Sequence, residues 1–191
     1  MSECRRILKP SGTIWISGTN HNIFQCGYLL QKLGFHILND ITWYKPNAAP
    51  NLACKTFAHS HETLLWAVKD KKAKHIFNYS IMKNLDNQGD CFKNVGKQMR
   101  TVWAINSAPK SEKTFGKHPT QKPLMLLTRI ILASTNDGSV ILDPFNGGGT
   151  TGLAANIIGK RQYIGIDIEE GFLDLTVNRI EQVQKQKRLI G

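Results

Sequence analysis

The sequence predicts an α/β protein, and three observations carry that prediction. Short β-branched and aromatic runs bounded by turn residues alternate with helical periodicity over residues 12–68. From residue 139 onward the pattern reads strand, helix, strand, helix with short connections, as in a parallel sheet whose ligands bind at the strand C-termini. A glycine-rich stretch, Gly147-Gly148-Gly149, stands between the first strand and the first helix of that unit.

Taken in order, residues 12–17 (Gly-Thr-Ile-Trp-Ile-Ser) follow the turn Lys9-Pro10-Ser11 and predict a buried strand. Ile23, Gly27, Leu30 and Leu33 recur at helical spacing, and Gly34 stands where a helix ends. Strands are expected at 37–43 and 62–68, separated by the Pro46–Pro50 breaker. In the second half, Leu124, Leu127, Ile130, Ile131 and Ser134 mark a helix that Pro123 can start. A strand at 139–142, a helix at 150–158 ended by Gly159 and a strand at 162–167 follow. The last helix is expected to bury Leu173, Val177 and Ile180 and to fray from Gln184 onward.

Between these halves, residues 69–117 hold eleven Lys or Arg against four Asp or Glu, which is +7 of the chain's formal +11. Hydrophobic periodicity is poor there, and Phe77, Tyr79, Phe92, Trp103 and Phe115 are interleaved, so an irregular insertion is expected. Composition alone leaves two readings open: a solvated lysine-rich loop, or a surface where ammonium groups meet phosphates and rings stack on bases.

Composition sets outer limits. With 191 residues, 41% hydrophobic and 20% charged, the chain is globular in character, not a disordered tail, collagen repeat or coiled coil. The positive excess points to a polyanionic partner such as nucleic acid. No apolar run approaches the roughly 20 residues of a membrane span, and residues 1–10 lack the apolar core of a secretory signal, so a cytoplasmic location is expected. Cys4, Cys26, Cys54 and Cys91 form no Cys-x-x-Cys pair and read as reduced thiols. His59 and His61 on one strand give only two converging groups, so no metal site is expected.

The chemistry concentrates between Leu142 and Gly152. Gly147, Gly149 and Gly152 fit G-x-G-x-x-G, and Asp167 lies 20 residues after Gly147 at the end of the next strand, the place of a carboxylate that accepts from ribose hydroxyls. The flanks argue against a dinucleotide, because no further strand follows the last helix. Asp143 at the strand tip would repel a pyrophosphate and attract an ammonium group. S-adenosylmethionine offers that ammonium, a ribose and no phosphate.

Asp143-Pro144-Phe145-Asn146-Gly147-Gly148-Gly149-Thr150-Thr151, preceded by His118-Pro119-Thr120-Gln121-Lys122-Pro123, resembles motifs I and X of the permuted (β-group) DNA amino-methyltransferases. Residues 6–18 resemble the family's segment after its catalytic motif, and residues 41–51 its motif VIII region. Within the family the likeness is to the GATC-directed adenine methylases of DpnII-type restriction–modification systems, which also accept single-stranded DNA.

The resemblance implies a Rossmann-like methyltransferase fold with a mixed sheet. Its parts would be residues 1–68 from the catalytic half, 69–117 as target-recognition insertion and 118–191 for the cofactor. S-adenosylmethionine would lie against Asp143, Phe145, Gly147, Gly149 and Thr150, with Asp167 on the ribose and Thr120, Gln121 and Lys122 closing the pocket. DNA would meet Trp43, Lys45, Lys71, Lys72, Lys74, Lys97 and Arg100, with Trp43 and Tyr44 either stacking on an extruded base or filling the sheet.

The family's Asp-Pro-Pro-Tyr motif, which binds the target amine, is not in the sequence; the one Asp-Pro is Asp143-Pro144. No catalytic residue is therefore assigned. The chain is expected to be an N-terminally truncated fragment, inactive alone, whose sheet lacks the strands carrying that motif. A homodimer or a complementing N-terminal fragment stands as a further partner. A non-catalytic DNA-binding remnant and a cytosine-N4 methyltransferase are the alternative readings.

Overall fold

The structure, a computed structural model, describes residues 1–85, 96–116 and 118–190. Residues 86–95, with Cys91 and Phe92 of the basic insertion, and Lys117 lie outside the described residues. The chain divides into two compact units, Met1–Asn106 and Ser107–Gly191.

The first unit holds α1 (Ser2–Ile7), β1 (Thr13–Gly18), α2 (Ile23–Lys32), β2 (His36–Tyr44), β3 (His61–Val68), α3 (Tyr79–Asn84) and β4 (Val102–Ala104). The sheet order is β1-β3-β2-β4; β3 runs antiparallel to both neighbours and β4 parallel to β2. Leu64 through Val68 are continuously buried because both faces of β3 are covered. On one face Leu65 and Ala67 pack with Ile23, Leu30 and Phe35 of and after α2. On the other, Trp66 stacks on Trp15 with ring centroids 5.0 Å apart, and Trp15 meets Trp103 at 6.4 Å.

Two expectations change here. The strand at 12–17 is half-buried rather than buried, because β1 is at the sheet's edge with β3 as its one ladder neighbour among the described residues. The segment 69–117 is not wholly irregular: α3, β4 and a 3-10 turn (Lys110–Lys113) lie within it. β4 is three residues long, too short for any alternation to show, and is held by the register Thr42↔Val102 to Tyr44↔Ala104.

The second unit contains that 3-10 turn, α4 (Leu124–Ser134), β5 (Val140–Asp143), α5 (Thr150–Ile158), β6 (Gln162–Gly165) and α6 (Glu170–Ile190). β5 and β6 pair in parallel from Val140↔Gln162 to Asp143↔Gly165. Ile131 of α4 and Ala154 and Ala155 of α5 form a cluster with Leu127, Ile141, Ile158 and Tyr163 packed against it. The last helix departs from expectation twice. Val177 is 54% exposed, and the buried face carries Leu175, Thr176 and Arg179, because polar groups on α6 bind the glycine-rich loop. The helix also continues to Ile190 instead of fraying at Gln184. Gln and Lys are good helix formers, and Glu181 pairs with Lys185 one turn on, 3.7 Å apart.

Candidate functional site

The C-terminal ends of β5 and β6 lead into two loops that are bonded side by side. Ile166 N–H donates to the Asp143 carbonyl and Asn146 N–H to the Ile166 carbonyl, both at 2.9 Å. This zipper brings Asp167 beside the glycine-rich loop, and its Oδ2 accepts the Gly147 N–H at 2.7 Å. Its Oδ1 accepts the Glu169 N–H at 3.1 Å. The Glu169 and Gly147 amides thereby hold the Asp167 carboxyl below the usual carboxylate range. A carboxylate has about four lone-pair sites, so acceptor capacity remains for a ligand hydroxyl.

Asp143, at the tip of β5, accepts from the Phe145 N–H through Oδ1 at 3.1 Å and from the Thr151 hydroxyl through Oδ2 at 2.6 Å. It therefore ties the strand to the first turn of α5, where negative charge is favoured by the helix dipole. Phe145 projects from the loop, 88% exposed. Gly149 is the N-cap of α5 at φ +67, and a Cβ there would overlap Thr176 of α6. Gly152 serves close packing instead: its Cβ would fall 2.4 Å from the Tyr163 ring. The third glycine of the G-x-G-x-x-G spacing thus brings α5 onto β6.

The stretch before α4 closes over the same loop. The His118 ring meets Phe172 edge-on, centroids 4.5 Å apart, and its Nε2 would lie 3.1 Å from a Cβ at Gly147. His118 Nδ1 accepts the Thr120 N–H at 3.3 Å. Gln121 is buried; its Nε2 donates to the Glu112 carbonyl at 2.9 Å, and its Oε1, without a hydrogen-bond partner among the described residues, would stand 3.3 Å from a Cβ at Gly148. Lys122 Nζ donates to the Thr120 carbonyl at 3.2 Å. At the start of α6, a recess of about 280 Å³ opens between Phe115, Glu169, Phe172 and Leu175.

Five residues that pattern did not single out support this arrangement. Asn146, 5% exposed, donates to Thr176 Oγ1 at 2.8 Å and accepts the Tyr163 hydroxyl. Burial raises the Tyr163 hydroxyl's pKa, with the nearby Asp143 charge acting in the same direction. Arg179 donates to the Gly148 carbonyl and, at 3.3 Å, to Thr150 Oγ1. Glu112, whose carboxyl is raised by burial, accepts the Leu124 N–H at 2.9 Å and faces the Arg179 charge. The links join residues 12 to 31 positions apart, so no local signal could have shown them.

Of the residues expected to meet DNA, Lys71, Lys72, Lys74, Lys97 and Arg100 are exposed. Trp43 is placed otherwise. It is 2% exposed, and its indole N–H donates to the Ile105 carbonyl at 2.7 Å, so it fills the sheet. Lys45 lies over the Trp43 ring, half-buried, and pairs with Glu62 at 3.1 Å. Tyr44, the next residue, is exposed.

A family model described as DNA methylase matches residues 1–178. The chain is 54% identical over 178 residues to the type II methyltransferase M2.DpnII of Streptococcus pneumoniae, covering 93% of this chain and 63% of that protein. It is 52% identical over 179 residues to M2.LlaDCHI of Lactococcus lactis subsp. cremoris, covering 93% and 63%. The chain thus spans less than two thirds of the length of these curated relatives. The crystal structure of M1.HpyAVI in complex with SAM superposes with a TM-score of 0.74 at 32% identity, covering 94% of this chain and 79% of that one. The shared fold is the α/β, Rossmann-like one expected from the sequence.

Proposed function

The chain belongs to the DNA methylase family, and from that premise we propose that it binds S-adenosylmethionine at the C-terminal ends of β5 and β6 and serves methyl transfer to adenine N6 in DNA, at GATC. The observation that carries this reading is the contact of Asp167 with the Gly147 N–H across 20 residues. It places a carboxylate, whose charged form two backbone donors favour, beside a glycine loop at a helix N-terminus.

The residues present fit that cofactor. Asp167 is oriented by backbone N–H groups and keeps acceptor capacity for ribose hydroxyls. Asp143 supplies negative charge for an ammonium group next to the same loop, and the missing Cβ atoms of Gly147 to Gly149 let that loop sit tightly against His118, Gln121 and Thr176. Phe115, Phe172 and Leu175, which line the recess at the start of α6, offer apolar walls to an adenine ring. The cofactor, when bound, supplies a methyl group activated on a sulfonium. Thr120 and Gln121, anchored through His118 and Glu112, cover the methionine end.

The DNA side rests on Lys71, Lys72, Lys74, Lys97 and Arg100, exposed on the first unit, and on the chain's excess of eleven positive charges. GATC and the adenine target follow the resemblance to the DpnII-type methylases. No Asp-Pro-Pro occurs in the sequence, and the Asp143 carboxylate is already engaged by Phe145 and Thr151, so no residue of this chain is assigned to the target amine.

Calorimetric titration with S-adenosylmethionine tests the reading. The 191-residue chain should bind with one site and Asp167→Ala should weaken binding at least tenfold, the effect of about 1.4 kcal/mol. Absence of binding by the unaltered chain, with DNA binding retained, would favour a DNA-binding role without cofactor.

A further inference from the structure

The connection between β2 and β3 leaves the sheet at the C-terminal end of β2, past the pair Tyr44↔His61, and is closed at its base by Lys45 N–H donating to the Ser60 carbonyl at 2.7 Å. Its tip is held by its own hydrogen bonds. The Asn51 side chain donates to the Thr56 carbonyl at 2.9 Å and to the Thr56 hydroxyl at 2.8 Å, and accepts the Ala53 N–H at 3.1 Å. The Cys54 N–H closes the turn on the Asn51 carbonyl at 3.1 Å. On this stiffened tip Leu52 is 91% exposed and Phe57 96% exposed.

The chemistry around these two side chains is one-sided. From Pro46 through His61 the sequence contains Lys55, His59 and His61 and no Asp or Glu, while Lys45 at the base of the connection is paired with Glu62. Such a surface fits a polyanion, and the apolar tips fit the stacked interior of that polyanion. Proteins that open DNA insert Phe or Leu between base steps while cations hold the flanking phosphates. A methylase must also take its base out of the stack, and a wedge lowers the cost of that step.

We infer that residues 51–57 are a wedge that enters duplex DNA, with Phe57 and Leu52 inserted at a base step and Lys55 on an adjacent phosphate. The inference rests on the DNA methylase reading and adds to it the element that opens the duplex. The preset turn means that little ordering entropy opposes insertion.

The test measures the 191-residue chain on a GATC duplex carrying 2-aminopurine at the adenine, over a series of salt concentrations. The unaltered chain should raise the fluorescence as the base unstacks. Phe57→Ala and Leu52→Ala should abolish that rise and weaken binding about tenfold, within the range for removing one side chain stacked on a base, at an unchanged salt slope. Lys55→Ala should instead lower the slope by about one. Because Phe57 and Leu52 are exposed, these variants keep the fold. If both variants match the unaltered chain in affinity and fluorescence, the wedge is overturned while the methylase reading stands. The wedge is equally overturned if they change only sedimentation, which gives the tip to a second copy of the chain. Failure of the unaltered chain to bind duplex at all overturns both.

Discussion

Arg179 of α6 donates a hydrogen bond to the carbonyl oxygen of Gly148, 31 residues earlier in the chain, and so fixes the central peptide of the glycine-rich loop from below. The same guanidinium reaches Thr150 Oγ1 and lies in the field of the Glu112 carboxylate.

Replacing Arg179 with Met should therefore leave the Gly148 carbonyl without this donor and the half-buried Glu112 without its counter-charge. Hydrogen bonds to charged groups contribute about 1.5–3 kcal/mol, so a loss of that size is expected in chemical denaturation. Affinity for S-adenosylmethionine should fall with it, and Arg179→Lys should recover part of the stability but not the two-point contact.

Gly152 and Gly171 offer opposed substitutions. Gly152→Ala drives a methyl into the Tyr163 ring and should destabilise by about 1–3 kcal/mol through overpacking. At Gly171, in the first turn of α6, a Cβ meets nothing within 4 Å, so Gly171→Ala should stabilise by about 0.5–1 kcal/mol. Thermal unfolding of the two variants checks the signs.

Asp167 contributes to the acid limb of stability. Its pKa in the fold is lowered by the Glu169 and Gly147 amides. A lowered folded pKa means that folding favours the ionised form, so the contribution is present above the unfolded value of about 3.9 and is lost as pH falls through the lower folded value. Asp167→Asn should flatten that part of the stability curve, measured by denaturation between neutral pH and acid, and leave the slope at higher pH unchanged.

The exposed lysines and the buried tryptophan should separate in DNA binding. Replacing Lys71, Lys72 and Lys74 together by Ala should lower the salt slope by about 0.9 for each phosphate no longer neutralised. Trp43→Phe should leave that slope unchanged and cost about 1–3 kcal/mol of stability, because the buried Ile105 carbonyl loses its donor.

Much of this site was legible because it is local. The spacing from Gly147 to Asp167, the strand–loop–helix around Gly149 and the helix stop at Gly159 are all written in short stretches. What escaped is the choice of partner across the unit. Nothing near Thr176 or Arg179 says that these polar residues face inward, while apolar Val177 beside them faces out. Trp43 illustrates the other failure: an aromatic residue suits a sheet interior and a base stack equally, and only the Ile105 carbonyl decides between them. β4 was missed because three residues carry no period.

Amide resonances of the isotope-labelled chain, followed as S-adenosylmethionine is added, test the central claim most directly. If Asp167 and the glycine loop form the pocket, the N–H signals of Gly147, Gly149 and Glu169 should shift together and saturate, with those of α2 and β3 unmoved. Shifts confined to the first unit, or none at saturating cofactor, would contradict the account.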